Sequence, residues 1–485
     1  MALTEAPATA AQAAPTALST RARLILFVLC AAQFAVALDF SILNVALPDL
    51  GTDLKISQAN LQWGVTAFAL PSGGFLLLFG RIADLYGRRR IFLLGLAAFT
   101  AASVLATAAW DPASFLVGRV LQGLGAAMIV PAGMALLTTT FKEGPERDRA
   151  LGISGMLLSL GFTVGMLLGG VLTQAFGWRS TMALNVLMGA AVLIGAPRLL
   201  TESLPASRPR IDIPGAVTIT GGLLALIYAL STAAQNGFGR ADVITGLLAG
   251  LVLLTAFTVI ESRTEQPLVS LPVLRRRTVA WGNIGGLVTF AMMSSVIFLS
   301  TLYLQQVLHL SPGASGLVFG VLGLAAALGG SVAPRVVGRL GAPRTLVAGL
   351  LIQALCTAAL VLIGADGGTW LVLLFGSVGC FGHLWAIVAY SITATSGLAD
   401  AEQGLATSLV TSTQQVGLTV GIPLLSALAA ARIEGLRTSG HSFAQATLGG
   451  VRLGLGADAA VVALVALLVA LGLRVWRRPA TPTDG

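Results

Sequence analysis

The sequence predicts an all-α integral membrane protein with fourteen spans. Three observations lead there. Of 485 residues, 56% are hydrophobic and only 10% charged, where a soluble domain is about a quarter charged. Mean hydropathy is +0.88. Apolar runs of roughly the 20 residues needed to cross a bilayer recur along the chain, and 58 glycines suit helices packed closely in lipid. The formal charge of +9 does not point to nucleic acid, because the basic residues fall at the ends of apolar runs.

In order, the runs are 24–48, 59–79, 91–110, 113–138, 150–174, 180–197, 214–234, 243–261, 279–308, 314–334, 345–365, 369–394, 404–431 and 458–476. Residues 1–21, rich in Ala, Pro and Thr, read as a disordered cytoplasmic tail, and 479–485 as a second tail. The first run is too long for a signal-peptide core and reads as a retained helix. Polar linkers are expected at 198–214, 261–277 and from Arg432 to about Leu455. With the N-terminus inside, most of the 29 Lys and Arg fall in inside loops, which places both termini in the cytoplasm. The loop near Asp400 and Glu402, with no basic residue, is the exception. Cys30, Cys356 and Cys380 lie in apolar runs and form neither a metal spacing nor a disulfide framework. No glycine-rich loop precedes a lysine and no catalytic triad is visible, so neither enzyme, metal nor cofactor is expected.

The chain repeats itself. "GRIADLYGRRRIFLLG" from Gly80 pairs with "PRVVGRLGAPRTLVAG" from Pro334 at an offset of 254, and "GFTVG" at 161 with "GLTVG" at 417. The division expected is a six-helix bundle at 22–197, a linker with an extra helix pair at 198–277, and a second six-helix bundle at 278–478. Two related halves with a site between them is a transporter plan.

Asp39 and Arg119 are the formal charges well inside the first six spans. Asp39 lies about ten residues, or ~15 Å, from the outer end of its run, and Arg119 about eight, or ~12 Å. Intramembrane ionisable groups face the protein interior or a wet cavity. Two readings stand: a structural ion pair, or a proton site in which Asp39 switches and Arg119 stays charged. The last six spans show no acid as deep, and Glu261 and Asp458 fall at run ends, where water would solvate them. That leaves one deep acid and suggests one proton per cycle.

In "GRIADLYGRRR", Gly80 and Gly87 would permit a tight turn. Asp84 could accept from arginines or a helix N-terminus, and Arg88 and its neighbours hold the loop inside. The plainer reading is topology alone. In "GFTVGMLLGG", Gly161, Gly165 and Gly169 form one stripe, with Gly170 beside it, where another helix can approach. Generic glycine packing is the alternative. Candidate cavity residues are Gln305, Gln306, His383, Trp385, Gln414 and Gln415. For His383 a hydrogen-bonded core role competes, for the glutamines interhelical bonding, and for Trp385 plain packing.

These motifs resemble those of the major facilitator superfamily, and more closely its fourteen-helix drug:proton antiporters. "LDFSILNVALP" resembles the first-helix motif, with Ser41 where Thr is usual. "GRIADLYGRRR" resembles the loop motif, "GRVLQGLGAA" the fourth-helix arginine motif, and "GFTVGMLLGG" with "GWRSTMALNV" the fifth-helix antiporter motif. "LYLQQVLHLSPGASG" resembles the stretch after the extra pair. Met166 stands where proline is usual, and His309 where glycine is. The resemblance implies a major facilitator fold of two six-helix bundles plus two extra helices. It also implies Asp39 as coupling acid with Arg119 as its partner, and a conformational latch at Gly80, Asp84, Gly87 and Arg88. The fifth-helix glycines would pack against the second half. The function expected is proton-coupled efflux of small amphipathic molecules such as antibiotics. It would run across a bacterial cytoplasmic membrane, as a monomer whose partners are cargo, protons and lipid. A nutrient facilitator or symporter, or a non-transporting receptor, are the alternatives.

Overall fold

The computed structural model describes residues 19–57, 60–141, 145–202, 212–237, 239–264, 271–398 and 400–475. Nearly all of the two expected tails lies outside these. The described chain is helical: α1 (Thr20–Asp53), α2 (Trp63–Gly74), α3 (Leu76–Tyr86), α4 (Arg88–Thr107), α5 (Pro112–Thr140), α6 (Pro145–Phe176), α7 (Arg179–Leu199), α8 (Ile213–Asn236), α9 (Ala241–Glu261), α10 (Leu271–Leu274), α11 (Arg277–Leu302), α12 (Pro312–Leu340), α13 (Ala342–Leu360), α14 (Thr369–Leu371), α15 (Ser377–Thr395), α16 (Asp400–Thr438) and α17 (Phe443–Gly472). Wider π turns extend α11 through Tyr303–Val307 and join α14 to α15 through Val372–Gly376.

Twelve of these segments are long and apolar enough to span, and α2 with α3, bent by 47°, makes a thirteenth. The expected fifth span falls in α6, where the apolar described stretch is Leu160–Phe176.

Helix ends carry the expected chemistry. Asp111 and Ser114 form a capping box on α5, with Pro112 in the first turn. The Ser114 side-chain and backbone hydrogen bonds hold the Asp111 carboxyl below its ordinary range. Ser19, Ser311 and Ser442 cap α1, α12 and α17. Gly87 (φ +108°) and Gly341 (φ +82°) make the α3–α4 and α12–α13 turns at matching places in the repeat, a conformation that favours glycine. Gly80, expected in that turn, lies instead inside α3, against Pro131 of α5. Its small size serves packing.

The halves repeat contact by contact. A methyl at Gly95 would meet the Gly125 carbonyl, and one at Gly349 the Gly382 carbonyl. Gly161 and Gly165 sit on the Phe34 and Leu38 carbonyls of α1, as Gly417 and Gly421 sit on those of Leu287 and Ala291 of α11.

Both ends of the described chain lie on one face of the bundle, here the terminal face; the opposite side is the far face. Among the described residues, the direct hydrogen bonds and glycine contacts joining the halves run from the far face to mid-depth. Gly170 meets Pro312 and Gly316, Leu167 meets Gly320, and Thr163 meets Gly323. Gln305 Nε2 donates to the Val45 carbonyl at 2.8 Å, Thr419 to Ala69 at 3.1 Å, and Ser426 to Gln62. Toward the terminal face α12 turns to its own half, where Gly329 packs on Phe381 and Gly330 on Leu384.

The extra pair, α8 and α9, lies along the α2–α16 edge of this seam. Thr220 donates to the Gly74 carbonyl at 2.8 Å. Ala216 and Phe257 share an apolar cluster with Leu77 and Leu78 of α3 and Ala406 and Leu409 of α16.

One expected boundary is corrected. The polar stretch from Arg432 to Leu455 is not a long loop: α16 runs to Thr438 and α17 starts at Phe443. Asp458, expected at a span end in reach of water, therefore stands mid-helix and is fully buried.

Candidate functional site

The structure brings Asp39 and Arg119 together, with neither exposed. Arg119 Nη1 donates to Asp39 Oδ2 at 2.7 Å and Oδ1 at 3.0 Å, and contacts Gln122 Oε1 at 2.9 Å. Arg119 Nε donates to the Gly64 carbonyl at 3.0 Å, and the guanidinium lies 4.7 Å over the Phe68 ring. The ion pair thus joins α1 to α5 and ties both to the start of α2.

Three uncharged residues complete the cluster, and sequence reasoning missed all of them. Asn185 of α7 donates to Asp39 Oδ1. Gln122, one turn beyond Arg119, donates to Ser103 Oγ at 2.8 Å and lies 3.5 Å from Asp39 Oδ1. Gln122 could have been found as the polar residue three positions on from a buried arginine; Asn185 and Ser103 carry no such signal. Buried polar groups need partners, and here the partners hold the carboxylate by direct donation from two helices. Arg119 Nη2 and Asn185 Oδ1 have no partner, so the cluster has spare bonding capacity. Arginine stays charged, which leaves the carboxyl of Asp39 as the one member able to take up a proton.

In the loop after α3, Arg88 donates to Asp84 Oδ1 from Nε at 3.0 Å, with Nη2 at 2.9 Å. The pair spans the Gly87 turn and is partly exposed. A second acid joins here. Glu202 accepts from the Arg89 backbone at 3.0 Å, and its carboxylate fills the space beside Gly87. A carboxylate at the N-terminus of α4 is favourable there. Arg89 also donates to the Pro197 carbonyl at 2.8 Å, so the loop is bound to the end of α7.

Of the glycine stripe, Gly161, Gly165 and Gly169 face α1 of their own half, and Gly170 faces α12 of the other. Met166 is buried, and α6 runs through it without a break.

The candidate cavity residues do not form one wall. Gln305 and Gln306 line a cleft of about 440 Å³ at the far face, with Asp49, His309 and Phe443. His383 lies in the second half's core, where Nδ1 is 2.8 Å from Thr289 Oγ1 and the ring packs edge-on to Phe290 at 5.5 Å. Thr289 also donates to Gln353 at 2.7 Å, the bonding expected of a core histidine. Trp385 stacks beside Phe381 at 5.3 Å with its indole N–H unpartnered. Gln414 is half-buried, and the side chain of Gln415 lies outside the described residues. Among the described residues no group of His, Cys, Asp and Glu could hold a metal.

Comparison with known proteins places this geometry. The chain is 36% identical over 464 residues to the puromycin resistance protein pur8 of Streptomyces alboniger, covering 91% of this chain and 90% of that one. It is 37% identical over 421 residues to the cephamycin export protein CmcT of Amycolatopsis lactamdurans, covering 84% and 85%. It is 30% identical to the lincomycin resistance protein of Streptomyces lincolnensis, covering 85% of each. In fold it matches a crystal structure of the POT family transporter PepTSo with a TM-score of 0.70 and 17% identity, over 94% of this chain and 98% of that one. The family described as Major Facilitator Superfamily matches residues 29–422. Repeated halves, a shared far-face seam and a match over most of its length agree: the chain belongs to the Major Facilitator Superfamily.

Proposed function

We propose that this protein is a proton-coupled exporter of small amphipathic molecules, antibiotics among them, acting as a monomer in a bacterial cytoplasmic membrane. Both termini are cytoplasmic, so the terminal face is the inner one and this conformation, joined at the far face, is inward-facing. The observation that carries the coupling is the fully buried Asp39–Arg119 pair with Asn185 and Gln122 around it. A carboxylate held between a guanidinium and neutral donors can trade them for a proton when the surroundings change. Cargo class follows the roles of the relatives, which are resistance and export proteins for chemically different antibiotics.

In this reading 22–197 and 278–478 are the moving halves, and 198–277 carries the extra pair outside the transport path. Asp84 and Arg88 belong to a latch on the inner face, whose arginines face the cytoplasm, with Gly87 supplying its turn and Gly80 its close packing. Gly161, Gly165 and Gly169 fix α6 to α1, and Gly170 lets α6 close on α12. Gln305 and Gln306 would meet cargo as it leaves through the far-face cleft, while His383 holds the second half's core.

The test is accumulation of ethidium in cells with and without the protein, with and without a protonophore. The expected result is lower accumulation with the protein, abolished by the protonophore and by Asp39→Asn. Export that survives both treatments would refute coupling through Asp39. A panel of antibiotics on the same cells then identifies the cargo.

A further inference from the structure

The glycine contacts set the correspondence between the halves helix by helix. On α4 and α13, Gly95 pairs with Gly349; on α5 and α15, Gly125 pairs with Gly382; on α1 and α11, Leu38 pairs with Ala291. Carried along those registers, Ser103 falls on Thr357, Arg119 on Gly376, Gln122 on Gly379 and Asp39 on Met292. The second half therefore lacks both the cation and the acid at the places where the first half has them. A small cavity lies there instead, lined in part by Met293, Thr357, Gly376, Gly379 and Cys380. It occupies the place that the Arg119 and Gln122 side chains fill in the first half.

One acid lies next to that place, on another helix: Asp458 of α17, beside the lining residue Thr357. Asp458 stands fourteen residues before the last residue of α17, Gly472, as Asn185 stands fourteen before Leu199 on α7. Asn185 is the residue that holds Asp39. Asp458 is 0% exposed and neither carboxyl oxygen has a hydrogen-bond partner. The Thr357 hydroxyl lies beside it.

The helices packed against α17 are α11, α13 and α16, with the π turn after α11. Apart from the Cys356 thiol, their described charged and titratable groups are engaged in hydrogen bonds or exposed at a helix end. Arg277 donates to the Gly472 carbonyl at the terminal end of α17. Arg344 of α13 donates to Val475 at 3.3 Å, and Cys356 is a buried free thiol. Arg432, Glu434 and Arg437 are exposed at the far end of α16. Tyr303 donates to Gly364 at 2.9 Å, and Arg452 of α17 itself donates to the Ile363 carbonyl at 2.9 Å. An ionised carboxylate in apolar surroundings, with no cation and only a threonine hydroxyl beside it, takes up a proton instead.

We infer that Asp458 is a second proton-binding carboxyl, neutral in this conformation and exchanging its proton with water as the halves move. Ionisation breaks its O–H bond and passes the proton to water; return to this conformation requires a proton back. The first half thus holds a carboxylate matched by arginine, and the second a carboxylic acid. Its role in coupling rests on the transport reading; its protonation does not.

The test is infrared spectroscopy of the purified full chain in phosphatidylcholine vesicles, titrated from acidic to alkaline pH and repeated in D₂O. The expected result is a protonated-carboxyl C=O band that Asp458→Asn removes and Asp39→Asn keeps. The band should weaken at alkaline pH and shift in D₂O. Identical spectra for the wild type and Asp458→Asn would overturn the proposal, because the group would be ionised. A band insensitive to both pH and D₂O would overturn it too, leaving a sealed, static acid. Asparagine is the neutral isostere, so failure of Asp458→Asn to fold would count against a neutral group; Asp458→Glu, which should displace the band rather than remove it, checks this in a second variant. No cargo is present in the measurement, so it is decided independently of whether the dye is exported.

Discussion

At the residue scale, the Asp39–Arg119 pair makes opposite demands on stability and on transport. Removing one member of a buried pair leaves an uncompensated charge and costs about 3–5 kcal/mol. Arg119→Leu should therefore lower thermal stability in detergent sharply and abolish export. Asp39→Asn strands the guanidinium and should also destabilise. Asp39→Asn combined with Arg119→Gln removes both charges and keeps hydrogen bonding with Gln122 and Asn185. That double variant should regain most of the lost stability and still not export. A double variant that unfolds like the singles would show that the pair contributes more than charge balance, and one that exports would remove Asp39 from the mechanism. The pair was legible in the sequence because a charge in an apolar run violates hydropathy. Asn185, Gln122 and Ser103 were not, since an uncharged polar residue in a span is common and its partner depends on the tertiary packing of α7, α5 and α4. Asp458 was visible but misplaced. Counting apolar residues began the last span at the acid itself, whereas the Ser442–Gln445 capping box begins α17 fifteen residues earlier.

At the element scale, two contacts separate packing within a half from packing between halves. A methyl at Gly165 would collide with Ser41 Oγ and the Leu38 carbonyl. Backbone cannot yield there cheaply, so Gly165→Ala should reduce the amount of folded protein. Gly170 instead meets Pro312 and Gly316 across the seam. Gly170→Val should leave each half folded but prevent the far face from closing. Measured with a membrane-impermeant thiol reagent, a cysteine at Val45 should then label faster than in the parent, with export reduced. Unchanged labelling would mean that the seam tolerates the bulk. The repeat and the glycine spacing were readable because i, i+4 periodicity places residues on one face whatever the fold. Which helix that face meets was not, and three of the four glycines meet α1 rather than the second half. For the extra pair, Thr220→Val removes one hydrogen bond to Gly74, worth about 1 kcal/mol. It should lower the amount of protein without changing which compounds are exported. A loss confined to one cargo, at an unchanged protein level, would bring α8 into the transport path.

At the scale of the whole molecule, alternating access requires the far-face seam to part. Ser311 Oγ and Gln174 Oε1 lie 3.3 Å apart across it. Cysteines at both positions, oxidised, should stop export, and reductant should restore it; full activity of the cross-linked protein would refute motion at this seam. The seam, with its two carboxyls on either side, also decides how the membrane potential enters. A single deep acid gives one proton per cycle, and exchange of one proton for a monocation moves no net charge. With Asp458 as a second exchanging acid, two protons enter for each monocation that leaves, and one net charge moves inward. Voltage then adds ~2.3 kcal/mol per 100 mV to the ~1.4 kcal/mol per pH unit carried by each proton. In right-side-out proteoliposomes with a fixed pH gradient, the steady-state gradient of ethidium should steepen with an inside-negative potassium diffusion potential. At 100 mV the change should exceed tenfold, since tenfold corresponds to about 1.4 kcal/mol. Asp458→Asn should keep pH-driven export and lose the voltage dependence, returning the exchange to one for one. A wild type indifferent to voltage would instead leave Asp39 as the only coupled acid.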